Sequence, residues 1–153
     1  MSRVVPFTSH NTAYAVGLMR ELVELSSFKT VPFDWEHSLR SVRAAMDNDT
    51  YYLRMSQDDN DEYTGLVAGY VTPLYFAPRL IAVESAWYVR EGSQDRTKMA
   101  AALMRSFMSW ALDEKHAVHV QSGDIANIHP AAVDALYRHL GFKRVGLIFK
   151  YER

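Results

Sequence analysis

The sequence predicts an α/β sandwich in which a sheet of mixed strand directions is flanked by helices. Two patterns alternate along the 153 residues. Short runs are rich in β-branched and aromatic residues, and longer stretches carry apolar residues at helical spacing. A strand, a helix and a second strand follow one another between Leu80 and Val120. Such a unit forms a right-handed parallel crossover, whereas the hairpin before it is antiparallel.

Composition indicates one ordinary folded domain over residues 1–153. Hydrophobic residues make up 48% and charged residues 23%, which excludes a disordered or fibrous chain. The 17 basic and 18 acidic residues lack the basic excess typical of nucleic-acid binding. We therefore expect no nucleic-acid partner. No apolar run is long enough to cross a membrane, so we expect no membrane partner either. The absence of cysteine excludes a disulfide framework and a cysteine nucleophile, and is consistent with a cytoplasmic location.

The first half of the chain predicts two helices and a run of three strands. We expect a strand over 4–7, helices over 11–26 and 35–46, and strands over 50–56, 64–72 and 80–90. Asp34 is a suitable N-cap for the second helix. That helix should bury one apolar face, made of Trp35, Leu39, Val42 and Met46. An acidic stretch joins the first two strands of the run, and a loop over 73–78 precedes the third.

The second half predicts a long helix, a strand, a capped helix and a final strand pair. The helix over 96–115 is apolar nearly all round in its first turns, so it should be covered on more than one side. A strand follows over 117–120. Pro130 suits the first turn of the last helix, and Gly141 suits the residue just after its end. Two short strands over 142–145 and 147–151 complete the sheet.

Two blocks of residues resemble the GNAT superfamily of acyl-CoA-dependent N-acyltransferases. The first runs from Trp87 to Met104 and looks like the strand, bulge and helix that hold the coenzyme pyrophosphate in that family. The second runs from Ala135 to Phe142 and is similar to the family's Tyr-x-x-x-Gly-Phe block, with Tyr137 and Gly141 in place. The resemblance spans most of the chain. It implies a mixed central sheet of roughly six to seven strands with about four flanking helices.

The first block also has a physical reason to bind an anion. A helix N-terminus leaves backbone N–H groups unpaired and favours negative charge, so the loop before it can wrap a diphosphate. Arg96 and Ala101 match the family pattern Gln/Arg-x-x-Gly-x-Gly/Ala, but Met99 stands where glycine is expected and adds bulk. The resemblance implies coenzyme contacts on the strand, the helix start and the loop before the last helix. These residues are Tyr88, Val89, Arg90, Arg96, Thr97, Lys98, Met99, Ala100, Ala101 and Asn127.

Acetyl transfer to an amine needs two proton transfers. An amine with a pKa of about 10 must lose a proton to attack the thioester, and the departing thiolate needs one. The resemblance implies that Tyr137 is the general acid. It also implies that Glu84 is the general base, since burial in an apolar strand would raise its pKa. The alternatives are that the Tyr137 ring simply packs on the core and that Glu84 forms a salt bridge or faces solvent.

The function implied is transfer of an acetyl group from acetyl-CoA, as co-substrate, to a primary amine of a small molecule or a protein. The alternative is a catalytically reduced GNAT-fold binding module, which the substitution at Met99 favours, or an unrelated α/β domain. His116 and His119 lie on opposite faces of a strand, so we expect no metal. The resemblance also implies a homodimer that forms through the C-terminal strands. Two interpretations of the acidic stretch remain open: it is a solvated hairpin tip, or it attracts a cationic substrate. The stretch contains Asp58, Asp59, Asp61 and Glu62.

Overall fold

The computed structural model describes residues 2–124 and 126–152. Its strands and helices appear in an order close to that predicted. They are β1 (Arg3–Pro6), α1 (Thr12–Leu25), α2 (Trp35–Met46), β2 (Tyr51–Gln57), β3 (Tyr63–Leu74), β4 (Ala77–Val89), α3 (Arg96–Ser109), β5 (Val120–Gln121) and α4 (Pro130–His139). A π-helical turn, Trp110–Glu114, extends α3, so the long helix predicted over 96–115 is confirmed in two parts.

The strands form one mixed sheet in the order β1-β2-β3-β4-β5. The first four are antiparallel neighbours, and the predicted parallel crossover is confirmed where Ala82 pairs with Val120 and Val83 with Gln121. The described residues form five strands, fewer than the six to seven expected. The strand pair predicted over 142–151 is not formed. β5 is only two residues long, so a further strand beside it could pair at only two positions.

Helices cover both faces of the sheet. On one face, α1 and α2 bury an apolar cluster that includes Val16, Leu18, Val42, Met55 and Leu66. On the other face, α3 and its π-helical extension bury a second cluster, with α4 packed at its margin. That cluster includes Tyr52, Val67, Leu103, Met104, Phe107 and Trp110. Within the described residues, no helix has both the length and the apolar character needed to cross a bilayer.

Gly69 allows α3 to approach the sheet closely. A Cβ atom at this position would lie 2.5 Å from the ring of Phe107 and 2.8 Å from the carbonyl oxygen of Val83. Both distances are far inside van der Waals contact, so a side chain here would push α3 away from the sheet. The glycine in β3 therefore sets the distance between the sheet and the helix that leads into the candidate site.

One sequence-based detail is confirmed and two differ in the structure. The N-cap is confirmed, since Asp34 accepts a hydrogen bond from the amide of His37 at 2.8 Å. However, α2 buries only Val42 fully, and Trp35 is 37% exposed. The helix packs over the β2 side of the sheet, and only a narrow strip of its surface contacts the sheet. The loop expected over 73–78 is instead a turn of two residues, with Tyr75 fully in solvent at 98% exposure.

The acidic stretch is the structured tip of the β2–β3 hairpin. The Asp58 carboxylate accepts hydrogen bonds from the amides of Asn60 and Glu62, at 2.8 and 2.9 Å. The Asp61 carboxylate contacts Arg3 at 3.2 Å. Two of its carboxylates are thus engaged in holding the turn and the adjacent strand, which favours the interpretation as a hairpin tip.

Candidate active site

The candidate active site lies where β4 and β5 separate. Their ladder ends at Val83 and Gln121, and β4 then continues to Val89 alone on that side. We call this opening, between residues 84–89 and 122–124, the fork. Because the Arg90 amide donates to the Thr64 carbonyl at 2.7 Å, Arg90 faces β3. Neighbouring residues of an antiparallel strand alternate in direction, so Tyr88 also faces β3, and Val89 and Trp87 direct their backbone groups into the fork.

The expected strand contacts thus divide into two groups. The amide and carbonyl of Val89 face the fork, as the resemblance implies, and those of Trp87 join them. The side chain of Arg90 makes a two-pronged contact with Glu21 of α1, at 2.7 and 3.0 Å, on the opposite face of the sheet. The hydroxyl of Tyr88 also reaches Glu21, at 3.3 Å, and burial, with the charge of Glu21, raises the pKa of Tyr88 to about 12.

A β-bulge turns Glu84 towards the fork. Ala68 pairs with Ala86 but Gly69 pairs with Glu84, so Ser85 is an extra residue in β4. Its hydroxyl donates to the Ala68 carbonyl at 3.1 Å. By simple alternation Glu84 would share a face with Ala86 and Tyr88, which pack on the α1 side. The extra residue moves the Glu84 side chain to the face covered by α3 and α4.

Glu84 and Tyr137 meet through Ser122. The Ser122 hydroxyl donates to Glu84 Oε2 at 2.6 Å, and its Oγ lies 2.5 Å from the Tyr137 hydroxyl oxygen. The amide of Gly123 also donates to the Glu84 carboxylate. Each of the three side chains comes from a different element: Glu84 from β4, Ser122 from the loop after β5, and Tyr137 from α4. The two residues implied as base and acid therefore lie one serine hydroxyl apart.

Burial in the fork raises the pKa of both groups. Burial raises the pKa of Glu84 to about 7, helped by the charge of Asp124 and opposed by the hydrogen bonds from Ser122 and Gly123. Burial also raises the pKa of Tyr137, and the nearby negative charge of Glu84 raises it further. Glu84 can thus exchange protons around pH 7, while Tyr137 is held in its donor form.

The Tyr137 ring packs against aromatic neighbours while its hydroxyl reaches Ser122. The ring centroids of Trp87 and Phe142 both lie 5.2 Å from that of Tyr137. The indole N–H of Trp87 donates to the Ala100 carbonyl at 3.0 Å, which ties β4 to α3. The ring packing posed as the alternative for Tyr137 is observed, and the hydroxyl remains directed to Ser122, so the general-acid role stays a prediction.

Replacing Glu84 by glutamine should stabilise the protein above pH 7. A carboxyl whose pKa rises from 4.5 to about 7 on folding binds its proton more tightly in the folded state. The free energy of unfolding of the wild type should therefore fall as pH rises between these values. Glu84→Gln removes that fall, with a gain on the order of 3 kcal/mol at pH 8. Urea unfolding at pH 4.5 and pH 8 measures this gain.

The matched control is Glu36→Gln, in the exposed first turn of α2. An identical pH dependence in Glu84→Gln and wild type would contradict the expectation.

The start of α3 presents unpaired amides beside the fork. Asp95 has a left-handed backbone with φ of 53° and its side chain does not cap the helix. The first intrahelical hydrogen bond is donated by the Met99 amide to the Asp95 carbonyl at 2.9 Å. The amides of Arg96, Thr97 and Lys98 precede it and point out of the helix end. These three groups and the helix dipole form a surface that suits an anion.

Met99 does not fill this surface. Its side chain is only 5% exposed and its amide is engaged in the helix. The bulk expected from a methionine at a glycine position is therefore directed into the protein. Ala101, equally buried, also faces inward, and the carbonyl of Ala100 is held by Trp87.

Two side chains of the expected phosphate site differ in what they contact. Arg96 Nε donates to the Val89 carbonyl at 3.1 Å, so it occupies an acceptor that faces the fork. Lys98 is exposed and lines a shallow depression with Asp95, Met99 and Asp59 of the acidic hairpin. One of the two cations is thus directed to solvent and the other to the strand.

The loop before α4 approaches the fork from the other side. Asn127 is exposed with φ of 55°, and its amide donates to the Asp124 carboxylate at 3.0 Å. His129 Nε2 lies 2.5 Å from the Glu91 carboxylate, in the loop after β4, and this contact lowers the pKa of Glu91. The loops that follow β4 and β5 are therefore in contact through Glu91 and His129.

Sequence reasoning missed Ser122, the amide of Gly123 and the backbone of Trp87. The predicted parallel crossover contained a signal for the first two, because residues just after β5 must lie beside the middle of β4. A lone bulge at Ser85 leaves no such signal, since one polar residue in a strand is common.

No family model matches the sequence, and no curated protein does. Solved structures share its fold. The aminoglycoside 6'-N-acetyltransferase AAC(6')-Ih from Acinetobacter baumannii is 14% identical with a TM-score of 0.73, over 100% of this chain and 98% of its own. AAC(6')-Iy, in complex with the bisubstrate analogue CoA-S-monomethyl-acetylneamine, is 12% identical with a TM-score of 0.77, over 100% and 98%. A transcriptional regulator from Bacillus halodurans C-125 is 14% identical with a TM-score of 0.76, over 99% and 100%.

At such low identity, the likeness shows the fold alone. Acetyltransferases and a protein described as a transcriptional regulator both adopt it. The chain therefore has the fold of the GNAT acyltransferases that its sequence resembles.

Proposed function

We propose that this protein is an acetyl-CoA-dependent N-acetyltransferase that acetylates a primary amine of a small molecule by direct attack on the thioester. The observation that supports it most is the pairing of Glu84 and Tyr137 through Ser122 inside the fork. The structures of AAC(6')-Ih and AAC(6')-Iy, both acetyltransferases with this fold, add support. We place the activity in the cytoplasm, a reducing compartment that suits a chain without cysteine.

Acetyl-CoA would follow a path across the described surface from the start of α3 to the fork. Its pyrophosphate fits the outward amides of Arg96, Thr97 and Lys98 at the start of α3. Its pantetheine amides fit the backbone groups that Val89 and Trp87 direct into the fork. A thioester at the end of this path would lie near Glu84 and Tyr137, where β4 and β5 separate.

The residues of the fork match the steps of the transfer. Glu84, with a pKa of about 7, accepts a proton from the acceptor nitrogen. Tyr137, which its raised pKa keeps protonated and which contacts Ser122, donates its proton to the sulfur as the carbon–sulfur bond breaks. An amide of the open edge of β4 supplies a donor to the tetrahedral oxyanion. No covalent enzyme intermediate is needed.

The charge of the fork favours a cationic acceptor. Glu84 and Asp124 both contribute negative charge beside Tyr137. A primary ammonium group would be attracted there before it loses its proton. An aminoglycoside, the substrate class named for AAC(6')-Ih, is one such amine, and a protein lysine is another.

One contact favours the second candidate, a binding module with reduced catalysis. Arg96 Nε already occupies the Val89 carbonyl, one of the acceptors that pantetheine would need. If this contact persisted, the coenzyme path would be interrupted between the phosphate site and the thioester. Coenzyme binding must therefore release Arg96 towards the phosphates, and a titration separates the two candidates.

Acetyl-CoA should bind with micromolar affinity, and the variant Arg96→Ala, Lys98→Ala should bind about 100-fold more weakly. Each cation lost near a phosphate costs about 1.4 kcal/mol, which is a tenfold loss in affinity. Isothermal titration calorimetry measures both. The control Arg40→Ala, Arg43→Ala removes the same charge from exposed positions of α2, on the opposite face of the sheet. Absence of binding to the wild type at millimolar coenzyme would exclude the enzyme.

We also propose a homodimer that covers the exposed C-terminal segment. Val145, Leu147, Phe149 and Tyr151 are 96%, 65%, 87% and 88% exposed. These residues are typical of strands, and in the described part of the chain the segment joins no ladder. A second copy of the segment would supply the missing partner.

Val145→Asp, Phe149→Asp should convert the dimer to a monomer. Charges at an apolar contact between two copies carry an unpaired desolvation cost. Size-exclusion chromatography with light scattering gives the mass. Tyr75→Asp, Phe76→Asp, at the exposed β3–β4 turn, is the control. A wild type that is monomeric at every concentration would refute the dimer.

A further inference from the structure

We propose that Ser122 is a positioning residue that joins Glu84 and Tyr137 into one proton path, so that the proton taken from the acceptor nitrogen replaces the one given to the leaving thiolate. This inference rests on the proposed function. The path has three side chains and two short contacts, 2.6 Å from Ser122 to Glu84 and 2.5 Å from Ser122 to Tyr137.

The serine hydroxyl fixes the direction of the hydrogen bonds. It has a single proton, which it donates to the Glu84 carboxylate. Its oxygen must therefore accept the bond from Tyr137, so the phenol proton points towards Ser122 while Glu84 is ionised. Once Glu84 is protonated, both bonds can reverse. Ser122 then donates to Tyr137, and the phenol proton is released to face a substrate.

The proton balance closes over one turnover. The acceptor ammonium first loses one proton to solvent, and the neutral amine attacks the thioester carbon. The carbon–nitrogen bond forms and the nitrogen becomes cationic. It gives a proton to Glu84, Glu84 gives one to Ser122, and Ser122 gives one to Tyr137, while Tyr137 gives its own to sulfur. The carbon–sulfur bond breaks, and the amide and the free thiol leave with every side chain restored.

The surroundings of the path support transfer within it. The charge of Asp124, from the loop after β5, raises the pKa of Glu84, and the charges of Glu84 and Asp124 raise that of Tyr137. The amide of Gly123, the residue after Ser122, also interacts with the Glu84 carboxylate and lowers its pKa. The Tyr137 ring is fixed by Trp87 and Phe142. The Glu84 carboxylate and the Tyr137 ring are thus held in place, and the reversal requires the Ser122 and Tyr137 hydroxyls to rotate.

The test compares Ser122→Ala with Ser122→Thr. Ser122→Ala should lower kcat about 10- to 100-fold, because one proton transfer must then go through solvent, while KM for acetyl-CoA stays within about twofold. The Ser122 hydrogen bond lowers the pKa of Glu84, so its loss should raise that pKa. In a plot of kcat against pH, the acid limb, where kcat rises with pH, should therefore move to higher pH. Ser122→Thr keeps the hydroxyl and should restore both kcat and the limb. Ser106→Ala is the control, a serine of α3 bonded to the Leu103 carbonyl.

A second readout needs no turnover. Carbon-13 NMR of labelled glutamate carboxyls should give Glu84 a pKa of about 7 in the wild type and a higher one in Ser122→Ala. Wild-type kcat and pH limb in Ser122→Ala would overturn the inference, as would a Ser122→Thr variant as slow as alanine. A wild type without acetyl transfer to any amine would instead overturn the proposed function, and this inference with it.

Discussion

Tyr137→Phe is expected to lower kcat about 100-fold while acetyl-CoA binds with wild-type affinity. The substitution removes only the hydroxyl that reaches Ser122, and the thiolate would have to leave without a positioned acid. The phenylalanine ring keeps the contacts with Trp87 and Phe142, so the fold should persist. Steady-state kinetics give kcat, and calorimetry with acetyl-CoA gives the affinity.

The control for this change is Tyr51→Phe. Tyr51 is 42% exposed at the start of β2 and its ring contacts Tyr70, so it loses a hydroxyl away from the fork. Its kcat should equal that of the wild type. A Tyr137→Phe enzyme within about twofold of wild type would show that the thiolate leaves unaided or takes its proton elsewhere.

Phe107→Ala should cost about 3–5 kcal/mol of unfolding free energy. Phe107 is fully buried, and its ring lies over Gly69 and within 6 Å of the rings of Tyr52 and Trp110. Gly69 has no side chain to move into the space, so the cavity would persist. Urea denaturation monitored by circular dichroism measures the loss.

Phe76→Ala is the matched substitution for Phe107→Ala. Phe76 is 69% exposed at the β3–β4 turn, where it contacts Tyr75. Its removal should change stability by less than about 0.5 kcal/mol. Similar losses in the two variants would mean that the contact between α3 and the sheet contributes little to the fold.

The order of the elements was predictable because periodicity reports it directly. Helical spacing located α1, α2 and the long helix to within a few residues, and Asp34 located the start of α2. The parallel pairing of β4 and β5 followed from the order strand, helix, strand, which forms a parallel crossover. These features depend on local patterns and on rules that hold for most sheets.

The candidate site was only partly predictable because its geometry depends on single residues. Glu84 and Tyr137 came from a family resemblance, but Ser85 decides which face Glu84 points to. Ser122 lies two residues beyond the strand predicted over 117–120 and has no motif. The strands predicted over 142–151 have suitable residue types, yet strand residues form no strand without a partner of matching length.

The weak attachment of α4 has a consequence for how the site opens. β5 contributes two ladder positions, and each residue of α4, all within the described part of the chain, keeps some exposure. The helix that carries Tyr137 should therefore detach at a lower free energy than the rest of the sheet, in a local opening that leaves β1–β4 intact. Any molecule that bridges β4 and α4 would favour the closed form by mass action. Coenzyme binding would then appear first as slower amide hydrogen exchange in α4.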